Sequence, residues 1–201
     1  YLESRGVRVS LLDDPGTEAR GVLAIVFPWQ RFDPDSGLNR IRRHLARGGA
    51  VLFAYSTKGT GVEHDVASAL GMGHEAAPEP PLHPLRWRQY AAATSSLVPG
   101  DADSGRAPLL VSAARARLTP PAVATILFRD EAGRPAAFSY GHGQGRVLVV
   151  PASAFSNARL GQAGNGDLLE SLVLALGPEW AFDEFHHGLM PAPAAAGNSA
   201  N

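Results

Sequence analysis

The chain has 201 residues, 45% of them hydrophobic and 18% charged, enough apolar content for one domain with a real core and too little charge for a disordered chain. Eighteen basic and nineteen acidic residues leave a formal charge of -1, so no overall field favours a nucleic acid or another polyanion. The absence of cysteine removes disulfides, thiolate nucleophiles, zinc fingers and iron-sulfur clusters together.

Tyr1-Leu2-Glu3-Ser4-Arg5-Gly6 reads as the tail of a helix, which leaves room upstream for a signal or anchor. Val7 to Leu12 and Val22 to Phe27 are short runs rich in Val, Ile and Leu, bounded by Asp13-Asp14-Pro15-Gly16 and by Pro28, the pattern of two strands. Neither run approaches the roughly 20 apolar residues needed to span a bilayer. From Asp35 the apolar positions Leu38, Ile41 and Leu45 recur at helical spacing and Arg40, Arg43 and Arg47 take another face, until Gly48-Gly49 stops the helix. A strand, Ala50 to Tyr55, follows. Thr60-Gly61-Val62-Glu63 has the form of a capping box opening a helix that ends near Gly71. Strand and helix thus alternate over the first 70 residues or so, which calls for a parallel sheet with helices on its faces.

Four prolines between Pro78 and Pro84 break any regular element. Leu85 to Tyr90 has the composition of a strand, Pro99 to Pro108 that of a loop, and Leu109 to Leu118 that of one or two strands. Thr125 to Arg129, Pro135 to Tyr140 and Arg146 to Val150 are spaced by turn residues, as in an antiparallel meander. Asp167 and Glu170 are placed to cap a helix whose Leu169, Leu172, Val173 and Leu176 share a face, and Gly177-Pro178 ends it. The expectation is a single α/β domain over residues 1-190, irregular or interrupted at about 76-123, followed by a Pro- and Ala-rich linker over 191-201.

Four stretches bear on chemistry. Gly141-His142-Gly143-Gln144-Gly145 joins two strands, so its glycines serve a hairpin and not the strand-to-helix turn that a nucleotide phosphate needs. Tyr55-Ser56-Thr57-Lys58-Gly59-Thr60-Gly61 does leave a strand for a helix, the place where open α/β sheets hold ligands, and it carries the sole lysine. It is either a plain turn or an anion site, and Ser56 lacks the flanking glycines of a nucleophile elbow. Asp183-Glu184-Phe185-His186-His187-Gly188 is the densest polar cluster. If extended, it sends Asp183 and His187 to one face and Glu184 and His186 to the other. Glu184 and His186 then form either a base-carboxylate or metal-ligand pair, helped by Asn157, or part of a hydrogen-bonded lock. Arg40, Arg42, Arg43, His44 and Arg47 make a basic helical stretch that is most simply solvated and favoured by the helix dipole.

Several of these features resemble, in order, those of a bacterial membrane-anchored family, domain of unknown function 4350. They are Leu2-Glu3-Ser4-Arg5-Gly6-Val7-Arg8-Val9, Gly48-Gly49, Tyr140-Gly141 with Gly143, Gly145-Arg146-Val147, Phe155-Ser156-Asn157 with Leu160, Asn165, and Phe182 to Gly188. The family is similar in fold to class I glutamine amidotransferases, which implies a three-layer, flavodoxin-like sandwich with a mostly parallel sheet, extended by the antiparallel C-terminal meander. The resemblance also implies the soluble part of a membrane protein, on the extracytoplasmic side, with a MoxR-type ATPase system as partner. An amidotransferase needs a cysteine to form its acyl-enzyme, so the resemblance brings architecture without glutaminase activity.

The expected function is therefore a non-catalytic domain binding a ligand or a partner protein through Ser56, Thr57, Lys58, Gly59, Asn157, Asp183, Glu184, His186 and His187, with no cofactor, resident metal or nucleic acid. The alternative is a hydrolase that uses Glu184, His186 and Asn157, with or without a metal.

Overall fold

The computed structural model describes residues 2-14, 17-27, 34-56, 61-75, 94-100, 107-112 and 117-183. The expected strand at Leu85 to Tyr90 and the linker after residue 190 lie outside them. After a 3-10 turn at Glu3–Arg5 come β1 (Arg8–Leu12), β2 (Val22–Val26), α1 (Pro34–Ala46), β3 (Ala50–Tyr55), α2 (Gly61–Ala69) and β4 (Gly73–Glu75). Then follow β5 (Thr94–Pro99), β6 (Leu109–Ser112), β7 (Arg117–Thr119), β8 (Thr125–Arg129), β9 (Pro135–His142) and β10 (Gly145–Pro151). A 3-10 turn at Ala152–Phe155, α3 (Asn157–Leu160), α4 (Ala163–Leu176) and β11 (Glu179–Asp183) complete the described chain. Among the described residues no helix is long and apolar enough to cross a membrane.

Nine strands form one sheet in the order β1-β11-β2-β3-β10-β9-β8-β5-β6, and β4 pairs with β7 in a separate ribbon. The first five strands are mutually parallel; from β10 onward every pairing is antiparallel. This corrects the expectation of a flavodoxin-like, amidotransferase-like three-layer sandwich with a mostly parallel sheet. Half of the eight strand pairings are antiparallel; for β8-β9 and β9-β10 the reason is a tight turn, which cannot make a parallel crossover. The expected antiparallel meander is present as β8-β9-β10; β10 lies between β3 and β9, so its last strand belongs to the parallel set as well. Nine strands about 4.8 Å apart span roughly 38 Å, whereas a helix about 10 Å across covers some two of them. Among the described residues, three helices of nine residues or more therefore cover each face only in part.

The core divides between the two faces. Leu23 and Ile25 of β2 point into a cluster with Ile41 and Leu45 of α1 and Val66 of α2, while Val22 and Ala24 face Leu168 and Leu172 of α4. Alternation along a strand buried on both sides requires this division. The β9-β10 hairpin turns at Gly143, with φ +62°, and Gly145 leaves space that Leu45 and the Gly49 carbonyl occupy. Those glycines thus serve the hairpin and its packing on α1.

Candidate functional site

Ser56 directly follows β3 and is 8% exposed. Its backbone N–H donates to Glu63 Oε1 at 3.0 Å and its hydroxyl to Glu63 Oε2 at 2.7 Å. Glu63, in the first turn of α2, is fully buried, so the carboxylate that the capping-box pattern assigned to the helix start clasps the β3-α2 turn. A serine held this way is withdrawn from solvent. Thr57, Lys58 and Gly59 of the expected anion loop, and Thr60, lie outside the described residues.

Asp183 ends β11 and is 2% exposed. Arg40 Nη1 donates to its Oδ2 at 2.9 Å, and Arg40 Nη2 donates to the carbonyl of Asp14. Arg40 is therefore buried and not, as its helical spacing suggested, on the solvated basic face; Arg42, Arg43 and Arg47 are exposed. His44 is also drawn inward, with Nε2 3.0 Å from the Ala50 carbonyl. Glu184, His186 and His187 lie outside the described residues. So does the side chain of Asn157, whose backbone opens α3. Of the expected site, the structure thus describes Ser56 and Asp183, each engaged in an internal bond.

At the carboxyl ends of β3 and β10 a cleft of about 760 Å3 opens, lined there by Tyr55 and Pro151. Its charged groups come from the β4-β7 ribbon, which supplies Glu75 and Arg117, and from the β8-β9 turn, which supplies Asp130, Glu131 and Arg134. The volume falls in the usual range for small-molecule sites, about 300 to 1,000 Å3. Burial, then the charges of Glu63 and Asp130, push the Tyr55 phenol well above its ordinary pKa, so it stays protonated and donates to the Ala136 carbonyl at 2.9 Å. Burial alone would raise Asp130; the hydrogen bonds and charge of Arg134, with the Ala132 N–H, outweigh it and lower the carboxyl. Arg134 Nε lies 2.8 Å from that carboxylate. Arg117 is looser, 3.9 Å from Glu75 with both side chains exposed.

Apart from Tyr55, which opens the expected anion stretch, none of these cleft residues was singled out from the sequence. They come from separate segments, and Asp130 to Arg134 carried only the signal of a turn. Among the described residues no group of three His, Asp or Glu side chains is placed to hold a metal ion.

The family model for DUF4350, a domain of unknown function, matches residues 1-173. The chain belongs to the DUF4350 family. No curated protein matches it. Among solved structures, the DUF4350 chain is similar to an exo-β-1,4-mannosidase from Opitutaceae bacterium strain TAV5 at 17% identity and TM-score 0.48, covering 76% of this chain and 25% of that one. It is similar to a β-galactosidase from Bacillus circulans sp. alkalophilus at 18% identity and TM-score 0.48, covering 79% and 23%. A third, a β-galactosidase from the haloarchaeon Halorubrum lacusprofundi, gives 20% identity and TM-score 0.41, covering 75% and 23%. The DUF4350 chain thus spans about a quarter of the length of these structures, and at these scores the likeness carries no activity to it.

Proposed function

We propose that this DUF4350 chain is a non-catalytic binding domain of a membrane-anchored protein, and that its ligand or partner protein docks at the cleft between Tyr55, Arg117 and the β8-β9 turn. The observation that carries the proposal is a contrast at one end of the sheet. Ser56 and Asp183, polar groups that could serve a reaction there, are buried in bonds to Glu63 and Arg40. The nearby cleft of about 760 Å3 presents Arg117 and Glu75 with exposed side chains. Binding needs such convergent polar groups around an apolar floor, here Leu97, Val111 and Leu118. Catalysis needs them aimed at one reacting atom.

The absence of cysteine excludes glutaminase action through a thiolate. The partner suggested by the family resemblance is a MoxR-type ATPase, whose docking Arg117→Glu should weaken if it uses this cleft.

The test is a thermal-shift screen of amino acids, short peptides and sugars. On this reading at least one compound raises the melting temperature by mass action, the rise disappears in Arg117→Glu, and mass spectrometry finds the compound unchanged. Conversion of a compound by the wild type, lost in Glu184→Gln or His186→Ala, would instead establish the hydrolase alternative.

A further inference from the structure

The register that sets Ser139 opposite Leu148 and Gly141 opposite Arg146 puts Ser139, Leu148 and Arg146 on one face of the sheet. Leu148 packs there with Leu168 and Leu172 of α4. Between β8-β10 and α4 runs a slot of about 210 Å3, walled by Leu127, Leu148, Leu168, Leu172 and Leu176. It shares no residue with the cleft at the other end of β10.

Ser139 and Arg146 are polar side chains that line this slot. Ser139 is 4% exposed, and its hydroxyl is not among the buried side-chain atoms left without a partner, so it can meet a guest there. Arg146 lines the slot with an exposed side chain and pairs with no carboxylate among the described residues. The hydroxyl of Ser171 is engaged, donating to the Asp167 carbonyl at 2.8 Å.

An apolar wall with a guanidinium and a hydroxyl beside it complements an aliphatic chain that ends in a carboxylate. Guanidinium matches a carboxylate through two parallel N–H bonds, Ser139 can donate to the same head group, and methylenes gain by leaving water for the leucines. An apolar cavity of roughly 150 Å3 takes a benzene, so this slot suits a short chain and not a full-length lipid. We infer that the slot under α4 is a binding site for a straight-chain carboxylate of about six to eight carbons, held by Arg146 and Ser139. The inference is independent of the function proposed for the other cleft.

Titration of sodium octanoate into isotope-labelled protein, followed by amide NMR, tests it. Saturable shifts should collect at Ser139, Arg146, Leu148 and Leu172. Arg146→Gln, at an exposed position, should keep the fold and weaken binding by about ten-fold, as should replacing octanoate by octan-1-ol or by acetate. Leu172→Phe should reduce binding by filling the slot. An absence of saturable shifts, or equal affinity for octanol, or unchanged affinity in Arg146→Gln, would overturn the inference. Shifts confined to Tyr55, Arg117 and Ala136 would also overturn it, while leaving the proposed binding function in place.

Discussion

Glu63 shows how much can rest on one side chain. Both of its oxygens accept from Ser56, one from the backbone and one from the hydroxyl, in a fully buried position. Glu63→Ala should cost about 1-3 kcal/mol, the usual penalty for removing the acceptor of buried donors, and Glu63→Gln, which keeps one acceptor oxygen, should cost less. Urea unfolding measures both; an unchanged midpoint in Glu63→Ala would mean that the clasp contributes nothing. His44 links stability to pH. Burial outweighs the favourable carbonyls of Ala50 and Gly21 and lowers its pKa below the ordinary histidine value. Between that lowered value and about 6.5 in the unfolded chain, the unfolded state binds more protons, so stability falls as pH drops through this window. His74 is lowered by burial and then by His64, and acts in the same direction. His44→Gln can still donate to Ala50 and should lose less stability than the wild type between pH 7.5 and 5.5, as read from denaturant midpoints. Glu63 was visible in the sequence as a helix-start residue. That it reaches Ser56 was not, because the capping pattern describes only the helix's own amides.

Between elements, polar ties help to hold the sheet to its helices, and those of Asn165 and Arg40 are made by buried side chains. Asn165, fully buried in α4, accepts from Leu110 N–H at 3.0 Å and donates to the carbonyls of Leu110 and Ala154 at 3.0 and 2.9 Å. It fastens the helix to β6 and to the 3-10 turn, which accounts physically for the asparagine among the features of the resemblance. The helix starts at Ala163 and not near Asp167, since Gly164 and Asn165 can belong to its first turn when Gly164 packs against the Pro108 carbonyl. Asn165→Ala should lose about 1-3 kcal/mol, and Asn165→Asp at least as much, because a carboxylate offers no donor to the two carbonyls. If guanidinium unfolding finds Asn165→Asp tolerated, the tie is not what stabilises α4. The second tie, Arg40 to Asp183, joins α1 to the end of β11. Arg40→Met alone should cost about 3-5 kcal/mol by taking the guanidinium away from a buried carboxylate. Adding Asp183→Leu should recover part of that loss, a coupling that a double-mutant cycle measures directly.

For the molecule as a whole, the strand order predicts the order of opening. β2, β3 and β10 are central and their inward residues almost fully buried, so their amides should exchange with solvent only through global unfolding; the edge strands β1 and β6 should exchange by local opening. Hydrogen exchange read by mass spectrometry checks this, and rapid exchange in β3 would contradict it. Much of the secondary structure was legible in the residues themselves: β2 and β3 as unbroken apolar runs, α1 from Leu38, Ile41 and Leu45, and the hairpin from its glycines. The lack of cysteine likewise leaves these 201 residues without a thiolate. Those properties are local, set by the 2.0- and 3.6-residue repeats and by which side chains are present. β5 escaped notice because Thr94–Pro99 carries little apolar signal. Tertiary structure alone decided that β11 inserts between β1 and β2, that Arg40 is buried against a residue 143 positions away, and that Tyr55, Arg117 and Asp130 line one cleft. Pairings across such distances depend on which strand edges and apolar faces remain to be covered once the whole chain has collapsed, and no window of sequence contains that information.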